Sequence, residues 1–319
     1  NSIISLFPIN QAKILANYLT LLVYLFIFIY IYFTKSVLFT NHKHKIFAIF
    51  IVLLSPPMTP EIWMSSAHLR GYFGILSFVL LFQDFKNDKI IINKITNFLV
   101  FFSGICSIYA AALTPAYLLK FYLNKDKNDL NRFIFASLAF CIQFFVVVYF
   151  ILTNISNTPR FNFEISTFYS YFYNIPIRSF FGSTIPKIIF VETEIFMMQY
   201  FDLFIYVLFI SVLILALSYI IKKKDQITYL ITFSLILISS LVILGTVQPG
   251  FVGGRYAVVP GVLMIFLVFR FFIIEKNSFF KNIFFLLLIL CFVVGGVEYR
   301  FLSPLPQSLQ CIDYNLQVK

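Results

Sequence analysis

The sequence predicts an all-α fold, a polytopic transmembrane helical bundle of about ten membrane segments with short broken helices and one interfacial outer loop. Three observations carry this expectation. Of 319 residues, 61% are hydrophobic and only 12% charged, whereas soluble domains carry about 25% charged residues. Apolar runs of roughly one bilayer thickness recur along the chain. The basic residues concentrate in alternate gaps between those runs, as cytoplasmic loops do. A surface this apolar excludes a soluble enzyme, a nucleic-acid binder and a disordered tail. The net charge of +11 is therefore read as a sign of loop orientation and not of nucleic acid.

Ile14–Thr34 has the length of one span. Ile46–Leu54 is a short run, about 14 Å as a helix, and Ser55-Pro56-Pro57 stops it. A helix then starts at Thr59, a capping residue, with Pro60 at a favoured first position and Glu61 at the positive end of the dipole. It runs to about Phe82. Phe98–Leu119 is one span or a hairpin, and charge decides between them. A reversal near Tyr109–Ala112 puts the basic groups of 35–45, 86–94, 120–132, 222–224 and 270–281 on one side. That side then holds sixteen of the 24 Lys and Arg residues, while the acidic residues divide six and seven. Pro115 fits a broken, protein-buried segment. Spans follow at Phe133–Thr153, Leu203–Ile221, Tyr229–Thr246, Tyr256–Ile274 and Ile283–Val297.

All of this reads as a single transmembrane domain, 1–319, with its largest outer loop at Asn154–Asp202. The rings of Phe161, Phe163, Phe168, Tyr169, Tyr171, Phe172 and Tyr173 suit headgroup depth. Both ends fall outside, so an upstream span and outer loop are expected if the natural amino terminus is cytoplasmic. The four cysteines match neither a zinc nor a disulfide spacing and read as buried free thiols.

No Walker loop, dinucleotide glycine pattern, zinc-helix motif or nucleophile elbow is present. Three segments stand out instead. Glu61, Ser65 and His68 share one helix face at i, i+4 and i+7, with Trp63 and Arg70 on other faces. This stripe is either the polar wall of an active cavity or a dipole-complementing acid with an interfacial belt. Gly253-Gly254-Arg255-Tyr256 opens a span, where Arg255 and free backbone N–H groups would hold a phosphate; the alternative is a tight turn with a snorkelling Arg. Arg160, Arg178 and Lys187 give the aromatic loop a cationic character suited to a lipid phosphate or to generic lipid contact. Glu192, Glu194 and Asp202 read as solvated or helix-capping acids, and no metal site is indicated.

Four of these features recur together in a pattern that resembles the GT-C superfamily of glycosyltransferases: Ser55-Pro56-Pro57 before Glu61 and Trp63; Ser103-Gly104 with Ala112-Leu113-Thr114-Pro115; Arg178-Ser179-Phe180-Phe181; and Gly253-Gly254-Arg255-Tyr256 before Pro260. The likeness is one of pattern and topology over most of the chain. It implies inverting hexosyl transfer from a polyprenyl-phosphate sugar donor to a glycan or lipid acceptor. The setting it implies is the outer face of a bacterial inner membrane. It implies Glu61 and His68 as catalytic groups, and Arg255, Tyr256, Arg178, Arg160, Arg70 and Trp63 as substrate contacts. It requires no organic cofactor and leaves a divalent metal ion open. The superfamily's central acidic motif lies in a first outer loop, which is expected upstream of Asn1. A transporter or flippase of lipid-linked saccharides, or an envelope polymer polymerase or ligase, is the alternative.

Overall fold

A computed structural model describes residues 9–39, 41–55, 69–84, 90–153, 171, 173–182, 217–244 and 257–300. Among them every regular element is helical, and the only strand-like pairing is a single bridge between Ser36 and Gln83. In chain order the helices are α1 (Ile9–Phe33), α2 (His42–Leu54), α3 (Leu69–Leu81), α4 (Ile90–Cys106), α5 (Ile108–Ala112), α6 (Thr114–Asn124) and α7 (Lys127–Leu152). A wide π-type turn at Tyr173–Ile177 leads into α8 (Arg178–Phe181). Then come α9 (217–223), α10 (Gln226–Leu244), α11 (Val258–Ile274) and α12 (Ser278–Arg300).

Among the described residues three stretches are long and apolar enough to cross a membrane: Lys127–Tyr149, Gln226–Leu244 and Ser278–Val297. A fourth is possible if the bent pair Ile91–Cys106 and Ile108–Asn124 counts as one. Among the described residues the protein is thus all-α with three to four membrane-capable helices, consistent with a lipid bilayer environment. The shorter apolar helices include Leu69–Leu81 and Val258–Ile274, which are buried on nearly all sides. A helix that is apolar all round is stable where other helices, not water, surround it. By contrast α7 and α12 expose large apolar side chains such as Phe145 and Leu286 outward.

Local chemistry sets the helix ends. Asn41 caps α2 by accepting from His44 N at 2.8 Å, so α2 begins four residues before the apolar run that marked it. Ser55 ends it as expected. Asp225 caps α10, accepting from Thr228 N at 2.9 Å.

The segment 98–119 doubles back, through a corner built differently from the expected turn. Tyr109–Ala112 is not a turn but lies in the short helix α5, whose Tyr109, Ala110 and Ala111 are buried. The direction changes at the flanking residues Ser107 and Leu113, and the two arms are bent by 115°. Ser107 caps α5. Pro115 does not break a helix but opens α6, where its missing N–H costs nothing. The return is explicit in the side chains. Tyr117 Oη donates to Ser77 O at 2.7 Å, and Lys120 Nζ donates to Leu81 O at 2.6 Å. Thus α6 runs alongside α3 in the same sense, while α4 runs against both.

α11 also runs parallel to α3, with Val259 beside Gly71 at one end and Phe266 against Phe78 farther along, ring centroids 5.5 Å apart. Small residues permit close approaches. A Cβ on Gly104 would lie 2.5 Å from Ala139 Cβ, so α4 and α7 meet nearly backbone to backbone.

The charged turns gather at one end of this bundle. Asp84 N donates to Lys35 O at 3.0 Å; Arg132 donates to Gln83 O at 3.2 Å; Lys223 pairs with Glu275 at 2.7 Å and Arg270 with Asp225 at 2.8 Å. His44 packs edge-on against Phe269 and joins the two groups. The turns after α1, α3, α6, α9 and α11 therefore share what we call the lysine-rich end.

Two expectations change. Within the 154–202 loop, Tyr171, Ile175, Ser179 and Phe180 are buried against other helices and not spread on the surface, and the 173–181 segment packs on α11 and α12; Phe161, Phe163, Phe168, Tyr169 and Phe172 lie outside the described residues. Apolar rings gain more by filling gaps between helices than by resting at the interface. Of the described thiols, Cys291 is buried, Cys106 is half-buried and Cys141 is exposed, because α7 turns Cys141 outward from the bundle; Cys311 lies outside the described residues.

Candidate functional site

The end opposite the lysines is where α3 and α11 begin. Gly71 and Gly74 on α3 face Val259 on α11; a Cβ on Gly71 would stand 3.5 Å from Val259 Cγ2, and one on Gly74 would stand 2.8 Å from Tyr109 Cβ. Glycine is required at Gly74 because the α5 corner presses against it. Ser107 Oγ donates to Arg70 O at 2.6 Å and accepts from Ala110 N at 3.3 Å. One hydroxyl therefore fixes the corner to the first turn of α3. Tyr24 of α1 lies against Tyr72 with ring centroids 4.0 Å apart. In the neighbouring helices Tyr171 and Ser239 share a short buried hydrogen bond between hydroxyls.

Of the eight residues singled out from sequence, Arg70 and Arg178 are described. Arg70 stands in the first turn of α3 with its side chain exposed. Arg178 begins α8, half-buried, against α11 and α12. Glu61, Trp63, His68, Arg160, Arg255 and Tyr256 lie outside the described residues. The flanking chain is informative nonetheless: Leu69 directly follows His68, Ala257 directly follows Tyr256, and the helices these two open lie side by side. Among the described residues no group of three His, Cys, Asp or Glu is placed to hold a metal ion.

Sequence reasoning missed the density of polar groups at the other end, where it saw only loop charges. Lys120, Asp129 and Arg132 are buried together with Gln83. Asp129 Oδ1 meets Lys120 Nζ at 3.2 Å and Arg132 Nη1 at 2.9 Å, and Asn124 donates to its other oxygen at 2.9 Å. Lys120 also donates to Gln83 O at 3.1 Å, so two cations cover the carbonyls that end α3. The signal was present: Lys120 interrupts an apolar run, and Asp129 and Arg132 are three apart on one helix face.

Glu275 is the second such centre. Its carboxylate receives Lys223 and the Tyr219 hydroxyl on one oxygen and the N–H groups of Lys276 and Asn277 on the other. The Lys223 and Tyr219 hydrogen bonds hold its pKa down to about 2. For Asp225 burial pushes upward, but hydrogen bonds from Arg270 and Thr228 outweigh it and leave the carboxyl below its usual range.

Comparison with family models, curated proteins and solved structures returned no match. The chemistry must therefore be argued from the molecule itself. Its lysine-rich end buries a set of mutually satisfied ion pairs beneath turns that carry exposed lysines. Its opposite end brings together two helix starts, an exposed guanidinium and a cluster of tyrosines.

Proposed function

We propose that the chain crosses the bilayer in about ten passes and acts as a membrane glycosyltransferase-like protein. It would move a sugar from a polyprenyl-phosphate donor to a glycan or lipid acceptor, at the face opposite the lysine-rich end. The observation that carries the reading is the pairing of α3 and α11 at their starts. In sequence, Glu61, Trp63 and His68 precede α3, and Arg255 and Tyr256 precede α11. The positive-inside rule then makes the lysine-rich end cytoplasmic and the reacting face outward, in a bacterial inner membrane.

In this reading Glu61 accepts the proton of the acceptor hydroxyl as its oxygen attacks the sugar C1. The C1–O bond to phosphate breaks with inversion, and its electron pair leaves on the polyprenyl phosphate. Arg255, together with Arg178, Arg160 and Arg70, compensates the charge that develops there. His68 orients the acceptor, and Trp63 and Tyr256 stack on sugar faces. No nucleotide site is needed, since the donor arrives through the lipid.

The test is turnover of radiolabelled polyprenyl-phosphate sugars by purified protein in liposomes. Loss of transfer in both Glu61→Gln and Arg255→Ala is expected; full activity in both would remove the site. A transporter or flippase is the second reading, favoured by the 115° bend between α4 and the α5–α6 arm, since broken helices also line transport paths. Movement of the labelled lipid across the vesicle without any transfer of its sugar would select it.

A further inference from the structure

We propose that the lysine-rich end is a docking surface for the anionic phospholipid headgroups of its leaflet. The inference is independent of the transfer reaction and rests on three observations.

First, the fold spends acids inward. Asp129 is taken by Lys120 and Arg132, Asp225 by Arg270, and Glu275 by Lys223. Lys125, Lys127, Lys222, Lys224, Lys276 and Lys281 meanwhile stand exposed at three neighbouring turns. Asp129 and Glu275 are buried beneath these turns and Asp225 is held by Arg270, so the exposed charge here is mainly cationic, with Asp84 exposed and Asp126 half-buried among the lysines.

Second, each of these turns pairs its lysines with a large exposed apolar side chain. Tyr122 is 72% exposed, Ile221 64% and Phe279 66%. Rings and aliphatics at the acyl boundary with ammonium groups reaching to phosphate depth is the arrangement of an interfacial belt. A soluble acidic partner would match the charges and leave the apolar side chains in water, so the pairing favours lipid.

Third, Lys125 and Lys224 occupy left-handed backbone where helices α6 and α9 end, with φ of 52° and 49°. Glycine holds that conformation at lower cost. The chain places a lysine at both positions, and both project from the same end. The conformational cost is borne twice where a cation is the gain.

The left-handed lysines allow stability and lipid contact to be separated. The full chain is reconstituted in mixed bilayers, and association of spin-labelled phosphatidylglycerol is compared with that of spin-labelled phosphatidylcholine by electron paramagnetic resonance. Wild-type protein should select phosphatidylglycerol, and less so in high salt. The double variant Lys125→Gly/Lys224→Gly should keep or raise its thermal midpoint and lose selectivity by about 25-fold, from about fivefold per lysine near an anionic surface. Lys276→Gln/Lys281→Gln, with no left-handed backbone involved, should lose a similar share. Equal association of the two lipids with wild-type protein overturns the proposal. So does unchanged selectivity in both variants, or selectivity that soluble polyglutamate abolishes by occupying the lysines in place of lipid.

Discussion

Ser107 donates its hydroxyl proton to the backbone carbonyl of Arg70 at 2.6 Å, across 37 positions of sequence. The same oxygen caps α5. A single small side chain thereby sets where the doubled-back segment meets the helix that carries the exposed guanidinium.

Ser107→Ala removes both bonds at once. Loss of a helix cap costs about 0.5–2 kcal/mol, and the Arg70 carbonyl loses its donor as well. The thermal midpoint in detergent should fall by several degrees, and Ser107→Thr, which keeps a hydroxyl, should recover most of it. If the alanine and threonine variants melt alike, the hydroxyl does not hold this corner.

Close packing of glycines predicts a graded series. Gly104→Ala forces a methyl to 2.5 Å from Ala139 Cβ, and Gly74→Ala brings one to 2.8 Å from Tyr109 Cβ; overpacking of this kind costs about 1–3 kcal/mol. A Cβ on Gly71 would make ordinary contact at 3.5 Å, and one on Gly296 meets nothing within 4 Å. Gly296→Ala should be neutral or stabilising by up to about 1 kcal/mol through helix propensity. Thermal unfolding should rank Gly104 and Gly74 well below Gly71 and Gly296; any other order contradicts the packing.

Asp129 neutralises two buried cations. Asp129→Ala leaves Lys120 and Arg132 without their carboxylate, and breaking such a buried pair costs about 3–5 kcal/mol. The triple replacement Lys120→Met/Asp129→Leu/Arg132→Met removes the charges together and should be far milder than the single change. Proteolysis of the membrane-reconstituted protein would read this directly: rapid cleavage of the single variant and near-normal resistance of the triple.

Glu275 links folding to pH. Its folded pKa is depressed from 4.5 to about 2, so the stability it contributes is complete above the unfolded pKa and is lost as pH falls from about 4.5 towards 2. The contribution is about 1–2 kcal/mol once solvent screening at the end of the bundle is allowed for. Glu275→Gln should therefore melt earlier than wild type at pH 7, with the two curves converging at the acid limit. A constant gap across that range would refute the linkage.

Much of this architecture was legible in the sequence, for reasons that vary by element. The long apolar runs at 133–153, 229–246 and 283–297 became α7, α10 and α12 because length and hydropathy alone specify such helices. The doubling back of 98–119 was legible from charge, since a single span would have separated Lys120 from the other basic turns. Its geometry was not, because the corner is shaped by tertiary contacts: Tyr109 packs against Gly74, and the capping Ser107 is tied to the Arg70 carbonyl. The inward rotation of Asp129 and Glu275 was equally hidden: loop composition records that a charge exists, not which way it faces. Of the candidate site, sequence marked the segments before α3 and α11, while their juxtaposition needed the packing of Gly71 on Val259.

One continuous stretch of chain grips α3 along its whole length. Ser107 holds the carbonyl of Arg70, Tyr117 that of Ser77, Lys120 those of Leu81 and Gln83, and Arg132 shares the last. The helix behaves as a strut of about 19 Å, clamped at both ends by the same neighbour. Neither end can tilt without dragging the corner and the ion-pair centre together, so a displacement at one end of α3 is passed to the other as rigid movement.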